Sequence, residues 1–269
     1  MARRMKIISI VNHKGGVGKT ATALAVAEGL NRRGKETLLI DLDPQSNASY
    51  SLNWNVAQTA STPAAPVERD RVAVNATSLF TAAPIELTDI VKIQSLYVIP
   101  AVQSLAIAEK TLTNYSTLTA HLNALAPSLD FCIIDTPPAL NNLTLNALIA
   151  SDYALIPARA DVYSLEGIKQ LRDTLDAVKQ DNSRLEVLGI LFNFYERRLR
   201  LSRLIERNFD TVSATLNTSL FNTRIRKAQS VAECAILKTS IYEHASLSGI
   251  VKDYEALILE ILERTKDND

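Results

Sequence analysis

Ile7-Ile8-Ser9-Ile10-Val11-Asn12, followed by His13-Lys14-Gly15-Gly16-Val17-Gly18-Lys19-Thr20, decides the reading of this chain. An apolar, β-branched run ends in a glycine-dense turn and passes into an alanine-rich helix, the order of strand, loop and helix in a phosphate-binding site. Three of the eight glycines fall in this turn. Without Cβ atoms, Gly15, Gly16 and Gly18 let successive backbone N–H groups point at one centre, which suits a triphosphate. Lys19 is expected to reach the β- and γ-phosphates, and the Thr20 hydroxyl to ligate Mg²⁺. The general phosphate-loop pattern asks for glycine where His13 stands, and a second lysine, Lys14, sits beside it.

The 269 residues suffice for one large α/β domain, with an irregular, exposed excursion expected at about 55–84. Lys plus Arg and Asp plus Glu both number 29, so nucleic-acid binding would have to come from a local patch. Cys132 and Cys234 are far apart, in no metal-type spacing, and read as buried thiols of a cytosolic protein. No apolar run reaches membrane-spanning length, and the basic start Met1-Ala2-Arg3-Arg4-Met5-Lys6 lacks a signal-peptide apolar stretch, so a cytoplasmic location with no membrane partner is expected.

Beyond the loop, Ala23, Val26, Ala27 and Leu30 recur at helical spacing, and Arg32-Arg33-Gly34 supplies cations and a glycine at the helix end. Thr37-Leu38-Leu39-Ile40 is a continuous apolar strand closing on Asp41-Leu42-Asp43-Pro44-Gln45, which puts Asp41 and Asp43 at the carboxyl edge of a parallel sheet, near the phosphates. Phe131-Cys132-Ile133-Ile134-Asp135 repeats the theme. An acid at that position either holds the Mg²⁺ shell or caps a following helix; the loop at 14–20 favours the metal. Strands at 96–100, 153–157 and 187–193, separated by helical stretches, complete a doubly wound, mostly parallel sheet with helices on both faces. A short strand is expected over Leu216–Phe221, and a last helix from about Leu247 to Arg264.

Arg197, Arg198, Arg200, Arg203 and Arg207 form a basic stretch in which Arg200, Arg203 and Arg207 share a helical face. Such a stripe is either a solvated face or a phosphate-binding one. Arg224, Arg226 and Lys227 form a second basic group. The final helix carries several Glu residues, which argues for packing on the domain and against a membrane-surface role.

The run Lys14-Gly15-Gly16-Val17-Gly18-Lys19-Thr20 resembles the deviant Walker A loop of the ParA/MinD superfamily of P-loop ATPases. Asp41-Leu42-Asp43-Pro44-Gln45, then Ile133-Ile134-Asp135-Thr136-Pro137-Pro138, then Leu155-Ile156-Pro157 and Leu165-Glu166-Gly167 extend the resemblance in order, toward the small ParA-type partition ATPases without an N-terminal helix-turn-helix. The resemblance implies an ATP- and Mg²⁺-dependent switch in plasmid or chromosome partition. ATP binding drives a face-to-face homodimer, Lys14 crosses to the partner's phosphates, the dimer binds DNA without sequence preference, and hydrolysis stimulated by a ParB-type centromere-binding protein releases it. Carried onto matching positions, the backbone of Gly15, Gly16, Val17, Gly18, Lys19, Thr20 and Ala21 holds phosphates, with Ala21 where relatives usually have threonine. Thr20 and Asp135 hold Mg²⁺, and Asp43 orients the attacking water or its metal shell. Asn193 falls where many relatives carry an adenine-contacting residue, a satisfied strand-end amide being the alternative. Arg226 aligns with a DNA-binding arginine, and Lys227, Arg200, Arg203 and Arg207 are the other candidates for that surface, with nucleoid association as the consequence. The alternative function is a nucleotide-gated scaffold positioning a non-DNA cargo. Division regulators at the membrane and iron–sulfur reductases fit less well, the latter because two separated cysteines cannot ligate the cluster.

Overall fold

In the computed structural model, residues 5–52, 74–112, 114–196 and 200–266 are described. The continuous apolar runs form the central strands of one eight-stranded sheet: β1 (Lys6–Ile10), β2 (Thr37–Asp41), β3 (Val91–Ile93), β4 (Leu96–Ile99), β5 (Phe131–Asp135), β6 (Tyr153–Arg159), β7 (Glu186–Tyr195) and β8 (Leu220–Arg226). Their order is β3-β4-β2-β5-β1-β6-β7-β8, with every pairing parallel except β3 with β4. Residues of β2 and β5 are buried throughout, as expected of strands covered on both faces. In the register, Ile10 pairs with Asp135 and Asp135 with Asp41, so three strands end at one level. The chain reverses its direction of growth across the sheet here, the place where open α/β sheets bind ligands.

The covering helices are α1 (Lys19–Arg32), α2 (Asn47–Ser51), α3 (Leu105–Thr111), α4 (Thr117–Leu125), α5 (Asn142–Ala150), α6 (Val162–Asp181), α7 (Arg200–Thr215), α8 (Gln229–Leu237), α9 (Ile241–His244) and α10 (Gly249–Arg264). On one face, Ala23, Val26, Ala27 and Leu30 of α1 pack with Tyr254, Ile258 and Ile261 of α10. A Cβ at Gly29 would lie 2.4 Å from the Tyr242 hydroxyl and 2.7 Å from Ile258 Cγ1, so this glycine sets the approach of α1 to its neighbours. On the other face, Leu118, Leu122, Leu143 and Ala147 cover β2 and β5, while Ile168, Leu171, Leu175 and Phe209 cover the β6–β7 side. Each such fully buried aliphatic side chain contributes roughly 1.5–3 kcal/mol.

Three expectations shift. The eighth strand runs from Leu220, not Leu216: Asn217 turns with φ 51°, and Leu216 packs at the end of α7, so Arg224 and Arg226 lie within the strand. Residues 55–73 of the expected excursion lie outside the described residues. The described remainder is not uniformly exposed, because Ala76 and Leu79 are fully buried and the Ala76 N–H donates to the Pro100 carbonyl. The last helix starts at Gly249 rather than Leu247, which is 94% exposed ahead of the Ser248 cap. Cys132 and Cys234 are free and buried, as read. No described helix is long and apolar enough to cross a membrane.

Candidate nucleotide site

At the end of β1, Asn12 is buried; its amide donates to the Pro157 carbonyl at 2.7 Å and its Oδ1 accepts the Lys14 N–H at 2.9 Å. This pins the loop's first turn to β6. Gly16 and Gly18 then take left-handed backbone, with φ 69° and 87°. Gly18 is doubly constrained, since a Cβ there would sit 2.6 Å from the Asn193 amide nitrogen. Gly15 is under no such demand, its added Cβ making only an ordinary 3.9 Å contact with Pro138.

Lys19 opens α1 and is only 7% exposed. Its ammonium folds back to donate to the Lys14 carbonyl at 3.2 Å. Burial lowers its pKa, and the charges of Asp135 and Asp43 oppose that shift. The three acids at the strand ends differ. Asp41 is fully buried and accepts from the Ser49 N–H at 2.9 Å, the Ser49 hydroxyl at 2.7 Å and the Asp43 N–H at 3.1 Å. Burial still raises its carboxyl to about 6. It therefore anchors α2 rather than facing the cleft. Asp43 lines the cleft, accepts the Gln45 N–H at 2.9 Å, and is raised by burial while Gln45 and Lys19 favour its charge. Asp135 is fully buried, and neither carboxyl oxygen finds a hydrogen-bond partner in good geometry. Burial first, then the Asp41 charge, lift its pKa well above the carboxylate range, while the Thr20 hydroxyl and Lys19 pull the other way.

A pair of orphaned buried oxygens next to a threonine hydroxyl and a cleft is a donor set for a hard cation. Among the described residues no group of three His, Cys, Asp or Glu side chains could hold a metal alone. The residues present fit Mg²⁺, which is ordinarily bound by one or two carboxylates plus phosphate oxygens and water. The cleft measures about 670 Å³ and includes Gly15, Gly16, Gly18, Lys19, Thr20, Ala21, Asp43 and Pro138. It continues along α1 past Leu24 to Glu28, opposite Val231 and Cys234 of α8. Glu28 accepts the Ser240 hydroxyl at 2.5 Å, and burial lifts its carboxyl to about 7.

Asn193 does not line the cleft. Its amide donates to the Val17 carbonyl at 2.8 Å and the Thr22 hydroxyl at 3.0 Å, bracing the glycine loop from below, and its Oδ1 is unpartnered. The wall there is Phe194, at φ 55°, with the Arg159 guanidinium 5.3 Å from its ring centroid. Phe194 and Arg159 went unnoticed in the sequence, the only signal being an aromatic just beyond a strand-end asparagine. Lys14 carries its ammonium to Asp161 of the same subunit, at 3.0 and 3.1 Å from its two oxygens.

The basic groups are less open than their spacing suggests. Arg226 makes a bidentate pair with Asp253 at 2.7 and 2.8 Å, and Arg224 pairs with Glu206. Lys227 is exposed. Arg197 and Arg198 lie outside the described residues, and so do the side chains of Arg200, Arg203 and Arg207 on α7.

Residues 5–187 match the family model described as an AAA domain. The chain is 34% identical over 265 residues to the chromosome partitioning protein ParA of Myxococcus xanthus, covering 96% of this chain and 88% of that protein. It is 33% identical over 266 residues to the chromosome-partitioning ATPase Soj of Thermus thermophilus, covering 98% of each. A Borrelia burgdorferi plasmid partition protein solved with AMPPNP superposes with a TM-score of 0.79 at 22% identity, over 98% of this chain and 100% of that one, which speaks to the fold alone. Cobyrinic acid a,c-diamide synthase of Mycobacterium smegmatis, solved with an ATP analogue and magnesium, gives 0.78 at 25% identity over 98% and 97%. A glycine loop, a buried lysine and strand-end acids in this register, with relatives this similar over nearly the whole chain, establish that the protein belongs to the ParA/Soj family of P-loop ATPases.

Proposed function

We propose that residues 1–269 act as a single ATPase unit that drives DNA partition by switching between nucleotide states. The observation that carries this reading is the convergence of Lys19, Asp43 and Asp135 beneath the glycine loop, two acids whose charges both act on the buried lysine. The loop N–H groups from Gly15 to Ala21 and the Lys19 ammonium bind the triphosphate; Thr20 and Asp135 hold Mg²⁺. When bound, that ion draws charge from the phosphate oxygens. Asp43, at the cleft wall, orients the attacking water. Phosphoryl transfer asks mainly for positioning and charge stabilisation, which these groups supply.

In this reading ATP joins two subunits face to face, and Lys14 adds a cation to the partner's phosphates. The paired form associates with DNA through Arg226, Lys227 and the α7 arginines, holding it at the nucleoid until hydrolysis, stimulated by a ParB-type protein, lets it go. Asp43→Ala tests the chemistry: nucleotide binding persists, phosphate release falls at least tenfold, and ATP-bound pairs accumulate on size exclusion. Wild-type turnover in that variant removes Asp43 from the mechanism.

A second reading, a scaffold for a protein cargo, is favoured by the ion pairs of Arg224 with Glu206 and Arg226 with Asp253, together with zero net charge. Gel shift with plain duplex DNA separates the two. ATP-dependent retardation that weakens with salt, with a slope of about −0.9 per neutralised phosphate, supports partition on DNA. Its absence at low salt supports the scaffold.

A further inference from the structure

Lys14 has a carboxylate of its own subunit to hold. Asp161 caps α6, accepting the Ser164 N–H at 2.8 Å, and also takes the Lys14 ammonium on both oxygens at 3.0 and 3.1 Å. Burial would push the Asp161 carboxyl up, but the hydrogen bonds from Lys14 and Ser164 outweigh it and leave the pKa below the usual value. The lysine's backbone is fixed at both ends, its N–H on Asn12 and its carbonyl on the Lys19 ammonium, so only the side chain is left to move.

We propose that the Lys14–Asp161 pair is an intramolecular latch: it keeps the lysine within its own subunit and sets the threshold at which two ATP-bound subunits join. This rests on the reading that Lys14 serves a partner's phosphates. A triphosphate carries several negative charges against one on Asp161, so it outcompetes the latch once a second subunit presents it. Nucleotide in the same subunit does not open the latch but primes it, because phosphates draw the Lys19 ammonium away from the Lys14 carbonyl. Release is cheap at the other end. The Arg159 guanidinium already lies 3.7 Å from Asp161, ready to pair with the vacated carboxylate, and the Ser164 N–H stays in place. Arg159 also stacks on Phe194, a wall of the nucleotide cleft, so the second cation of the latch is in touch with the pocket whose occupancy it answers to. Asp161 is thus a positioning residue, acting through Lys14 rather than on the substrate.

Asp161→Asn and Asp161→Ser remove the charge but keep a side-chain oxygen for the α6 cap, so both variants should fold. The assay is sedimentation equilibrium of the full chain with Mg²⁺ and a non-hydrolysable ATP analogue. A partly exposed ion pair holds about a fivefold factor at most; two latches open per pair of subunits, so each variant should lower the dimer dissociation constant by up to roughly twenty-five-fold. The gap from wild type should narrow as salt rises, because screening weakens the latch itself; a change in helix capping would not follow salt. Lys14→Ala separates the two layers of the argument. If it abolishes pairing while both Asp161 variants pair like wild type or more weakly, the latch is wrong and the pairing role of Lys14 stands. Pairing unaffected by Lys14→Ala overturns both.

Discussion

Asp135→Asn is expected to stabilise the protein without nucleotide while removing its response to magnesium. The wild-type carboxyl is fully buried, has no hydrogen-bond partner in good geometry, and faces the Asp41 charge. Leaving such a group unsatisfied costs about 1–3 kcal/mol, and the amide removes both the ionisation and the carboxylate repulsion. The sign with pH follows from the direction of the shift. Below the unfolded-state pKa the acid is protonated in both states, so wild type and variant differ little. As pH rises toward the elevated folded-state pKa, the unfolded chain ionises freely and the folded one resists, so wild type loses stability that the variant keeps. At about 2 kcal/mol, and roughly 2–3 °C per kcal/mol for a chain this long, the variant should melt about 4–6 °C above wild type at pH 8 and within a degree of it near pH 4. Calorimetry across that range is the measurement. Adding Mg²⁺ to ATP should raise the wild-type Tm beyond ATP alone and leave the variant unmoved. A variant that melts lower at pH 8, or that gains equally at both pH values, would refute the reasoning that an orphaned charge sits here for a cation.

Gly18→Ala places a Cβ 2.6 Å from the Asn193 amide at a φ of 87°, so it should destabilise by about 1–3 kcal/mol and abolish nucleotide-dependent Tm shifts, read by fluorimetry. Glu28→Gln should be neutral near pH 4 and stabilising above pH 7, because the raised carboxyl, at about 7, lets wild-type stability fall as pH climbs from the unfolded-state value through neutrality; urea midpoints at the two pH values test it. Gly29→Ala, whose new methyl would meet the Tyr242 hydroxyl and Ile258, should lower stability by about 1–3 kcal/mol with the affinity for nucleotide unchanged, measured by urea titration and by binding of a fluorescent ATP analogue.

The parts of the fold legible in the sequence are those with a local cause. β1, α1, β2 and β5 announce themselves through continuous apolar runs and a helical period, and the loop between β1 and α1 through its glycines. The start of the eighth strand is not legible because Leu216, Leu220 and Phe221 are all apolar, and only the left-handed turn at Asn217 separates a helix end from a strand start. Leu79 was hidden in a stretch that reads as irregular, although it fills a core position against α4. Pairs far apart in sequence leave no local trace: Lys14 and Asp161 are 147 residues apart, and nothing around either one points to the other. Arg226 looked free for DNA for the same reason, since its partner Asp253 belongs to a helix 27 residues on.

Asp41, Asp43 and Asp135 show why residue type and strand position underdetermine role. All three close apolar strands or follow directly from them, yet their surroundings push them apart. Three donors from Ser49 and Asp43 make Asp41 a structural anchor, and the Ser49 hydroxyl goes on to accept the Ala101 N–H at 2.9 Å, tying α2 to the chain beyond β4. Asp43 is left with one side on Gln45 and the other toward Lys19 and the cleft. Asp135, as deeply buried as Asp41, has no hydrogen-bond partner in good geometry, with only the Thr20 hydroxyl and the Lys19 charge favouring its ionised form. A cation that settles on Asp135 favours its ionised form against the burial and the Asp41 charge that oppose it, so of the three acids this is the one whose charge the contents of the cleft decide.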